Sequence, residues 1–253
     1  MDYLSPYKTI TYEKVNRVAT ICLNRPHAHN AYNTIMRDEL YQVLEATRED
    51  TDVRAVILSG HGTDFCGGAD LNEFGTSPSM TIARDIRWER DVWGLFFNLG
   101  KPITAAVQGR CIGSGVEMAM LSDICIASSD ASFSMPETRL GLIPAAGGTQ
   151  TLTETLGISK SLILLLSKRC LNAKEALALG LVTKMIPKDR LLEEAIKIAR
   201  RLSCLDQAAV SALKKALWRG PREPLEQALE LEQRLALALL SAKTDKGVYR
   251  YDE

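Results

Sequence analysis

The feature that most restricts the fold of this chain is a strand–bend–helix pattern that occurs twice, each time with glycines at the bend. In AVILSGHGTDFCGGADL, the apolar run 55–59 leads through glycines to a helix start at Asp70. In ITAAVQGRCIGSGVEMAM, the run 103–107 leads to a helix that carries Glu117. The first turn of a helix has N–H groups without intrahelical acceptors, so such a bend can bind an anion. Glycines also suit tight turns and close packing, so either bend alone has a purely structural explanation.

Short apolar runs predict a parallel sheet. Besides the two runs above, residues 18–23 and 124–127 are largely apolar and are bounded by polar residues. This pattern is typical of strands that are buried on both faces. Residues 31–49 place apolar side chains on one helical face, and strands that alternate with helices predict an α/β fold.

The character of the chain changes to helix after residue 152. Helical spacing of apolar residues extends over 191–202, 208–218 and 226–240, with Gly220-Pro221 and Pro224 between the last two. We therefore predict a core domain from residue 1 to 195. Residues 196–253 are predicted to form a helical region for packing or oligomer contacts.

Composition excludes several classes of function. Basic and acidic residues balance at 31 each, so no overall field attracts nucleic acid or an anionic membrane. The longest strongly apolar stretch, 162–166, is too short to cross a bilayer. Residues 1–14 lack the apolar core of a secretory signal. We expect a cytoplasmic protein without nucleic-acid or membrane partners.

The cysteines and histidines predict neither disulfides nor a metal site. The six cysteines include no CxxC pair, and most lie in apolar runs, as reduced core residues of a cytosolic protein do. His27 and His29 form an HxH pair, but no third ligand has suitable spacing. The expected metal content is none.

Two glutamates are candidates for chemistry. Glu117 lies in a helix that is apolar nearly all round, so the helix should be buried, and a buried carboxylate needs a partner or a task. The alternative is a carboxylate that only compensates the helix dipole. Glu137 follows a short alternating strand and a proline, and precedes the Gly- and Ala-rich run TRLGLIPAAGGTQ. Taken alone, it is equally consistent with an exposed turn residue.

With their flanking residues, these segments resemble the enoyl-CoA hydratase/isomerase (crotonase) family. A single short motif would be weak support, but five blocks in the family's order and spacing are specific. They lie between residues 10 and 240 and read LNRPHAHNA (23–31), FCGGADL (65–71), KPITAAVQGRCIGSGVEMAMLSDICIAS (101–128), FSMPETRLGLIPAAGGTQ (133–150) and NAKEALALGLV (172–182).

The resemblance implies a crotonase-type spiral of ββα units, followed by a helical region that drives assembly into a homotrimer or a dimer of trimers. It also implies an oxyanion hole, in which two backbone N–H groups bind the carbonyl oxygen of a thioester. By position these groups belong to Ala69 and Ser114, which lie in the two bends described above. The same match assigns Glu117 and Glu137 as the acid/base pair.

The resemblance further implies contacts with an acyl-CoA substrate along residues 23–31 and the first bend. The matching residues are Arg25, His27, Ala28, Gly67, Gly68, Asp70, Leu71 and Asn72. His27 stands where lysine is common in the family, and Ser114 stands where a Gly/Ala triplet usually has its middle residue. No separate cofactor is implied, because CoA is part of the substrate.

Two other sequence patterns, the aromatic residues of 74–97 and an SxxK match, are predicted to have mainly structural roles. Residues 74–97 match the variable stretch that lines the acyl pocket of the family, and its aromatic residues are either pocket walls or helix core. We predict core for most of the four, which are Trp88, Trp93, Phe96 and Phe97. Residues 211–214 fit an SxxK motif without partner motifs, so Lys214 is predicted to lie on a helix surface.

The resemblance favours hydration as the reaction. Hydratases of the family carry both acids, whereas isomerases generally keep one acid at a differing position. The predicted activity is therefore that of a lyase that adds water across the C2=C3 bond of a 2-enoyl-CoA. The alternatives are an enoyl-CoA isomerase, a hydratase of cyclic or dienoyl substrates, and a non-catalytic CoA-thioester-binding scaffold.

Overall fold

A computed structural model describes residues 7–74, 89–167 and 169–244 of the chain. Its larger sheet has one antiparallel edge strand and is otherwise parallel. Across this sheet the strands follow the order β1 (Ile10–Val15), β2 (Val18–Leu23), β3 (Ala55–Gly60), β4 (Ile103–Val107), β6 (Ile124–Ser128) and β9 (Lys184–Ile186).

A second, smaller layer lies beside the larger sheet. It contains β5 (Arg110–Ile112) and β7 (Ser132–Ser134) in parallel, with β8 (Leu171–Asn172) antiparallel to β7. Single bridges pair Cys66 with Cys111 and Ala69 with Tyr32, so the segment 66–69 continues this layer beyond β5. Because β2, β3, β4 and β6 are each followed by a part of the second layer, the chain advances as a spiral.

Helices cover both faces of the larger sheet. Most of the core lies between the sheet, the second layer and the helices of the first half of the chain. The helices are α1 (Thr34–Glu49), α2 (Leu71–Phe74), α3 (Val92–Asn98), α4 (Ser114–Leu121), α5 (Gly148–Leu156), α6 (Ile158–Leu166), α7 (Ala173–Leu179), α8 (Leu191–Ser203), α9 (Gln207–Arg219) and α10 (Leu225–Thr244). None of the helices within the described residues is long and apolar enough to span a membrane.

The predicted strands are confirmed, two with the bounds expected and two one residue longer. Every residue of β4 is buried, as expected for a strand covered on both faces. The predicted boundary at residue 195 falls inside α8. Ala195 and Ala199 of that helix pack against the larger sheet, so α8 belongs to the core. The division into two domains stays a prediction.

The cysteine prediction is confirmed only in part. All six thiols are free, and Cys66, Cys111 and Cys125 are buried. Cys170 and Cys204 are exposed, so their assignment to the core is wrong. Cys204 follows the last residue of α8 and Cys170 precedes β8, and at such ends an apolar neighbour in the sequence does not ensure burial.

The prediction that Lys214 lies on a helix surface is wrong. Its side chain is 7% exposed, and its Nζ donates to Asp123 Oδ2 at 2.8 Å and to the carbonyl of Lys101 at 3.1 Å. Asp123 also accepts hydrogen bonds from the Ile103 N–H and the Trp218 indole N–H. Burial lowers the pKa of Lys214, and the negative charge of Asp123 opposes that shift. The pair joins α9 to the end of α4.

We expect Asp123→Ala to lower the free energy of unfolding by about 3–5 kcal/mol, because it leaves a buried ammonium without its counter-charge. The pKa of Lys214 then falls further. The unfolded chain binds a proton that the folded chain has lost, so the free energy of unfolding of this variant rises with pH up to the ordinary lysine pKa.

Urea unfolding between neutral and alkaline pH measures this effect, with the exposed Lys215→Ala as the control. A loss below about 1 kcal/mol, the range of exposed ion pairs, would contradict the role assigned to the pair.

Candidate active site

The segment 66–69 presents one amide toward the second bend. On one edge, the Tyr32 N–H donates to the Gly68 carbonyl and the Asp70 N–H donates to the Tyr32 carbonyl, both at 2.8 Å. Because the C=O and N–H of one trans peptide point in opposite directions, the N–H of Ala69 points away from Tyr32, to the edge where Cys66 pairs with β5. Among the described residues, the backbone hydrogen bonds include none from this N–H. The first bend therefore offers a donor at the edge where β5 ends.

The second bend brings the start of α4 to the same place. Gly113 has φ +49°, a backbone conformation that favours glycine, and it turns the chain out of β5 into the helix. A β-carbon at Gly68 would lie 3.2 Å from the Ile112 carbonyl oxygen, so the two bends are in close contact. Ser114 is buried and is the first residue of α4, so its N–H lies at the end of the helix that meets the first bend.

Glu117 lies inside the protein at the first turn of α4. All eight residues of this helix are buried, and the glutamate is 1% exposed. Its Oε1 accepts hydrogen bonds from the N–H groups of Ala146 at 2.8 Å and Gly148 at 3.2 Å. The burial predicted from the apolar helix is confirmed.

Glu137 reaches the same helix end from another direction. It begins a short 3₁₀ turn, Glu137–Leu140, and is half-buried rather than exposed. A β-carbon at Gly113 would lie 2.6 Å from its Oε1, so the carboxylate rests directly against that glycine. Since the Glu117 N–H donates to the Gly113 carbonyl at 3.0 Å, the two glutamates flank a single turn of α4.

The thiol beside this pair is inert. Burial, with a smaller contribution from the negative charge of Glu117, raises the pKa of Cys66 to about 12. A thiol with such a pKa is protonated at neutral pH and is a poor nucleophile. No three side chains of His, Cys, Asp or Glu within the described ranges form a group that could hold a metal ion.

The residues predicted to contact CoA fall into two groups. His27 is exposed and Ala28 half-buried on the 3₁₀ turn Pro26–Ala28, and Leu71 and Asn72 are exposed beyond the first bend. Gly67 donates its N–H to the His29 carbonyl, which places the bend beside that turn. Arg25 and Asp70, by contrast, form an ion pair with each other at 3.0 Å.

The aromatic residues of α3 serve the core. Trp93 and Phe96 are buried, and the Trp93 ring lies 5.3 Å from that of Tyr32. Phe97 is half-buried and contacts Trp218 edge-on. Core packing is thus confirmed for Trp93 and Phe96, whereas Trp88 lies outside the described residues.

Some residues that shape the site were not identified from the sequence. The N–H groups of Ala146 and Gly148 bind Glu117, and the Gly/Ala-rich composition of that run was the only signal for a close backbone approach. A β-carbon at Gly148 would lie 3.1 Å from Glu117 Cγ, so glycine is needed there for contact. Asn30 and Asp64 join residues 23–31 to the first bend, and no sequence pattern indicated this role.

Comparison with known proteins places this chain in a family. The family model of enoyl-CoA hydratase/isomerase matches residues 13–253. The chain belongs to the enoyl-CoA hydratase/isomerase family. It is 37% identical to a probable enoyl-CoA hydratase of Rhizobium meliloti (strain 1021) over 95% of this chain and 93% of the relative. It is 35% identical to the 2,3-dehydroadipyl-CoA hydratase of Escherichia coli (strain K12), over 91% and 89%.

The fold of the family is also shown by solved structures. The crystal structure of enoyl-CoA hydratase from Bacillus anthracis superimposes with a TM-score of 0.88 at 31% identity and covers 92% of each chain. The crotonase fold and the C-terminal helical region expected from the sequence are therefore confirmed, and the enzymes of this family act on acyl-CoA substrates.

We expect Gly113→Ala to displace the carboxylate of Glu137, because the new methyl group would overlap its Oε1. The strained backbone should also cost about 1–3 kcal/mol of unfolding free energy. Gly157→Ala is the matched control, since Gly157 has φ +77° and nothing lies within 4 Å of an added β-carbon.

Urea unfolding should show similar losses for both variants, and a crystal structure of each should show Glu137 moved only in Gly113→Ala. An unmoved Glu137 in that variant would contradict the contact described here.

Proposed function

We propose that this protein is an enoyl-CoA hydratase, which adds water across the C2=C3 bond of a 2-enoyl-CoA thioester. The observation that carries the proposal is the position of Glu117 and Glu137 on either side of one turn of α4, where the two glycine bends meet. The names of the two relatives above, both hydratases, support hydration as the reaction.

Negative charge develops on the thioester carbonyl oxygen when a nucleophile attacks C3, because the C2=C3 bond is conjugated with the carbonyl. We assign the N–H groups of Ala69 and Ser114 as the oxyanion hole that accepts this charge. Donors that are oriented before the reaction need no reorganisation, and the loss of one such donor costs about 3–4 kcal/mol in other enzymes. Backbone donors also make the role independent of the Ser114 side chain.

Glu117 and Glu137 supply the proton transfers. In the proposed reaction, one carboxylate takes a proton from a water whose oxygen bonds to C3, and the other glutamate, protonated, gives a proton to C2. Positioned carboxylates of this kind contribute about 10²–10⁴-fold to the rate. The amides of Ala146 and Gly148 orient Glu117 for this task. The roles of acid and base belong to the pair, because coupled carboxylates titrate together.

We assign the CoA contacts to the two adjacent surface segments, the 3₁₀ turn with His27 and Ala28 and the bend that continues into Leu71 and Asn72. The exposed imidazole of His27 is a hydrogen-bond donor suited to a phosphate. Gly67 and Gly68 allow the substrate to approach the backbone closely. Because CoA enters and leaves as part of the substrate, the reaction needs no resident cofactor.

We expect Glu117→Gln and Glu137→Gln each to lower kcat by at least about 10²-fold while KM stays nearly constant, because only proton transfer is removed. The exposed Glu13→Gln is the control. The loss of the conjugated thioester absorbance of crotonyl-CoA measures turnover.

Near-normal rates in either variant would remove that residue from the mechanism. A wild-type protein that converts 3-enoyl-CoA but leaves 2-enoyl-CoA unchanged would be an isomerase, and binding without turnover would indicate a scaffold. Either result would contradict hydration.

We further propose that the helical region, together with α6, assembles the protein into a homotrimer or a dimer of trimers. Large apolar side chains are exposed along α6 and α10 of a single chain, namely Ile158, Leu162, Ile163, Leu166, Leu225, Leu229, Leu237 and Leu240. Apolar patches of this extent usually form protein interfaces.

Sedimentation equilibrium should give three or six times the 27.9 kDa mass of one chain. A monomer at micromolar concentration would contradict the proposed assembly.

A further inference from the structure

The ion pair between Arg25 and Asp70 connects residues 23–31 to the first bend, beneath the surface. We call these the two substrate-side segments, because the CoA contacts are assigned to them. The side chains are 15% and 10% exposed, and Arg25 Nη1 donates to Asp70 Oδ2 at 3.0 Å. The same nitrogen donates to the Ala31 carbonyl at 2.6 Å. Arg25 therefore has its charge compensated and part of its donor capacity used within the protein, although its sequence position predicts a contact with CoA.

Asp70 directly follows the proposed oxyanion donor Ala69. Its N–H bonds to the Tyr32 carbonyl at 2.8 Å, and its Oδ1 accepts from the Asn72 N–H at 3.1 Å. With Oδ2 bound to Arg25, the residue is fixed through its backbone and both carboxylate oxygens. The peptide plane between residues 68 and 69, which carries the donor N–H, is thus held on its C-terminal side by Asp70 and on its N-terminal side by the Tyr32–Gly68 bond.

Asn30 makes a second connection between the same segments. It is fully buried at φ +55°, and its Nδ2 donates to the carbonyls of His61 at 2.9 Å and Asp64 at 2.7 Å. Its Oδ1 accepts from the Arg25 N–H at 2.8 Å. The start of the first bend is therefore tied to the backbone of Arg25, and the end of the bend is tied to the Arg25 side chain.

We propose that Arg25 is a positioning residue: through Asp70 it sets the direction of the Ala69 N–H, and it does not bind the phosphates of CoA. Asn30 fixes the backbone from which Arg25 extends. The inference rests on the proposed oxyanion role of Ala69. A displacement of about 1 Å in a catalytic group can lower a rate about 10²-fold, so a side chain that does not touch the substrate can govern turnover.

The two possible roles of Arg25 predict different kinetics. A positioning role predicts that Arg25→Gln and Asp70→Asn each lower kcat about tenfold or more, with the dissociation constant of free CoA within about threefold of wild type. The double variant should be no slower than the slower single variant, because both changes break one interaction. Arg48→Gln, which removes an exposed arginine with surface ion pairs, is the matched control.

A phosphate-binding role predicts the opposite pattern. Arg25→Gln would then raise the dissociation constant of CoA, reduce its dependence on salt and leave kcat unchanged, and Asp70→Asn would not share these effects. That pattern would overturn the inference. Circular dichroism establishes folding, and if Arg25→Gln fails to fold, Asp70→Asn carries the test because it keeps the side-chain volume and removes the charge.

A spectroscopic measurement separates this inference from the proposed function. Butyryl-CoA labelled with ¹³C at the carbonyl cannot be hydrated, and its carbonyl stretch moves to lower frequency when the oxygen accepts strong hydrogen bonds. We expect this shift on binding to wild type and a smaller shift in Arg25→Gln and Asp70→Asn. No shift in wild type would contradict the oxyanion hole itself. A full shift in both variants would overturn only the role of Arg25.

Discussion

The site depends on one short backbone pairing, the insertion of residues 66–69 between Tyr32 and β5. This pairing brings the bend after β3 against the bend after β4, although the two are far apart in the chain. Because β5 ends at Ile112 and Gly113 turns the chain into α4, the edge of the layer opens where the Ala69 amide points. The spiral fold thus places the start of α4 beside the strand edge to which the Ala69 N–H points.

The carboxylates are fixed to this edge by different means. Glu117 is carried by a buried helix, and two amides from another segment compensate its charge. Glu137 is carried by a turn and contacts the backbone only because residue 113 lacks a side chain. Glu117 can therefore be buried, because the amides of Ala146 and Gly148 offset the cost of its burial locally.

Much of this arrangement could be predicted from the sequence, because buried parallel strands and glycine bends have strong local signatures. The strands, the burial of Glu117 and the family all followed from runs and blocks within the chain. Contacts between distant segments could not be predicted. The sequence around Lys214 is typical of a surface lysine. Only the packing of α9 brings Asp123 into contact with it. Arg25 likewise lies in a segment predicted to contact the substrate, and only the fold shows that its guanidinium forms an ion pair with Asp70.

The stretch from Glu137 to Gly148 serves both acids: it begins with one of them and ends with an amide that binds the other. The two carboxylates that we propose as proton-transfer groups are consequently not independent of each other. An insertion or deletion within this loop would displace both carboxylates together. A change in the length of more distant surface loops would leave the positions of both unchanged. Divergence of substrate preference among such enzymes should therefore spare the length of this connection.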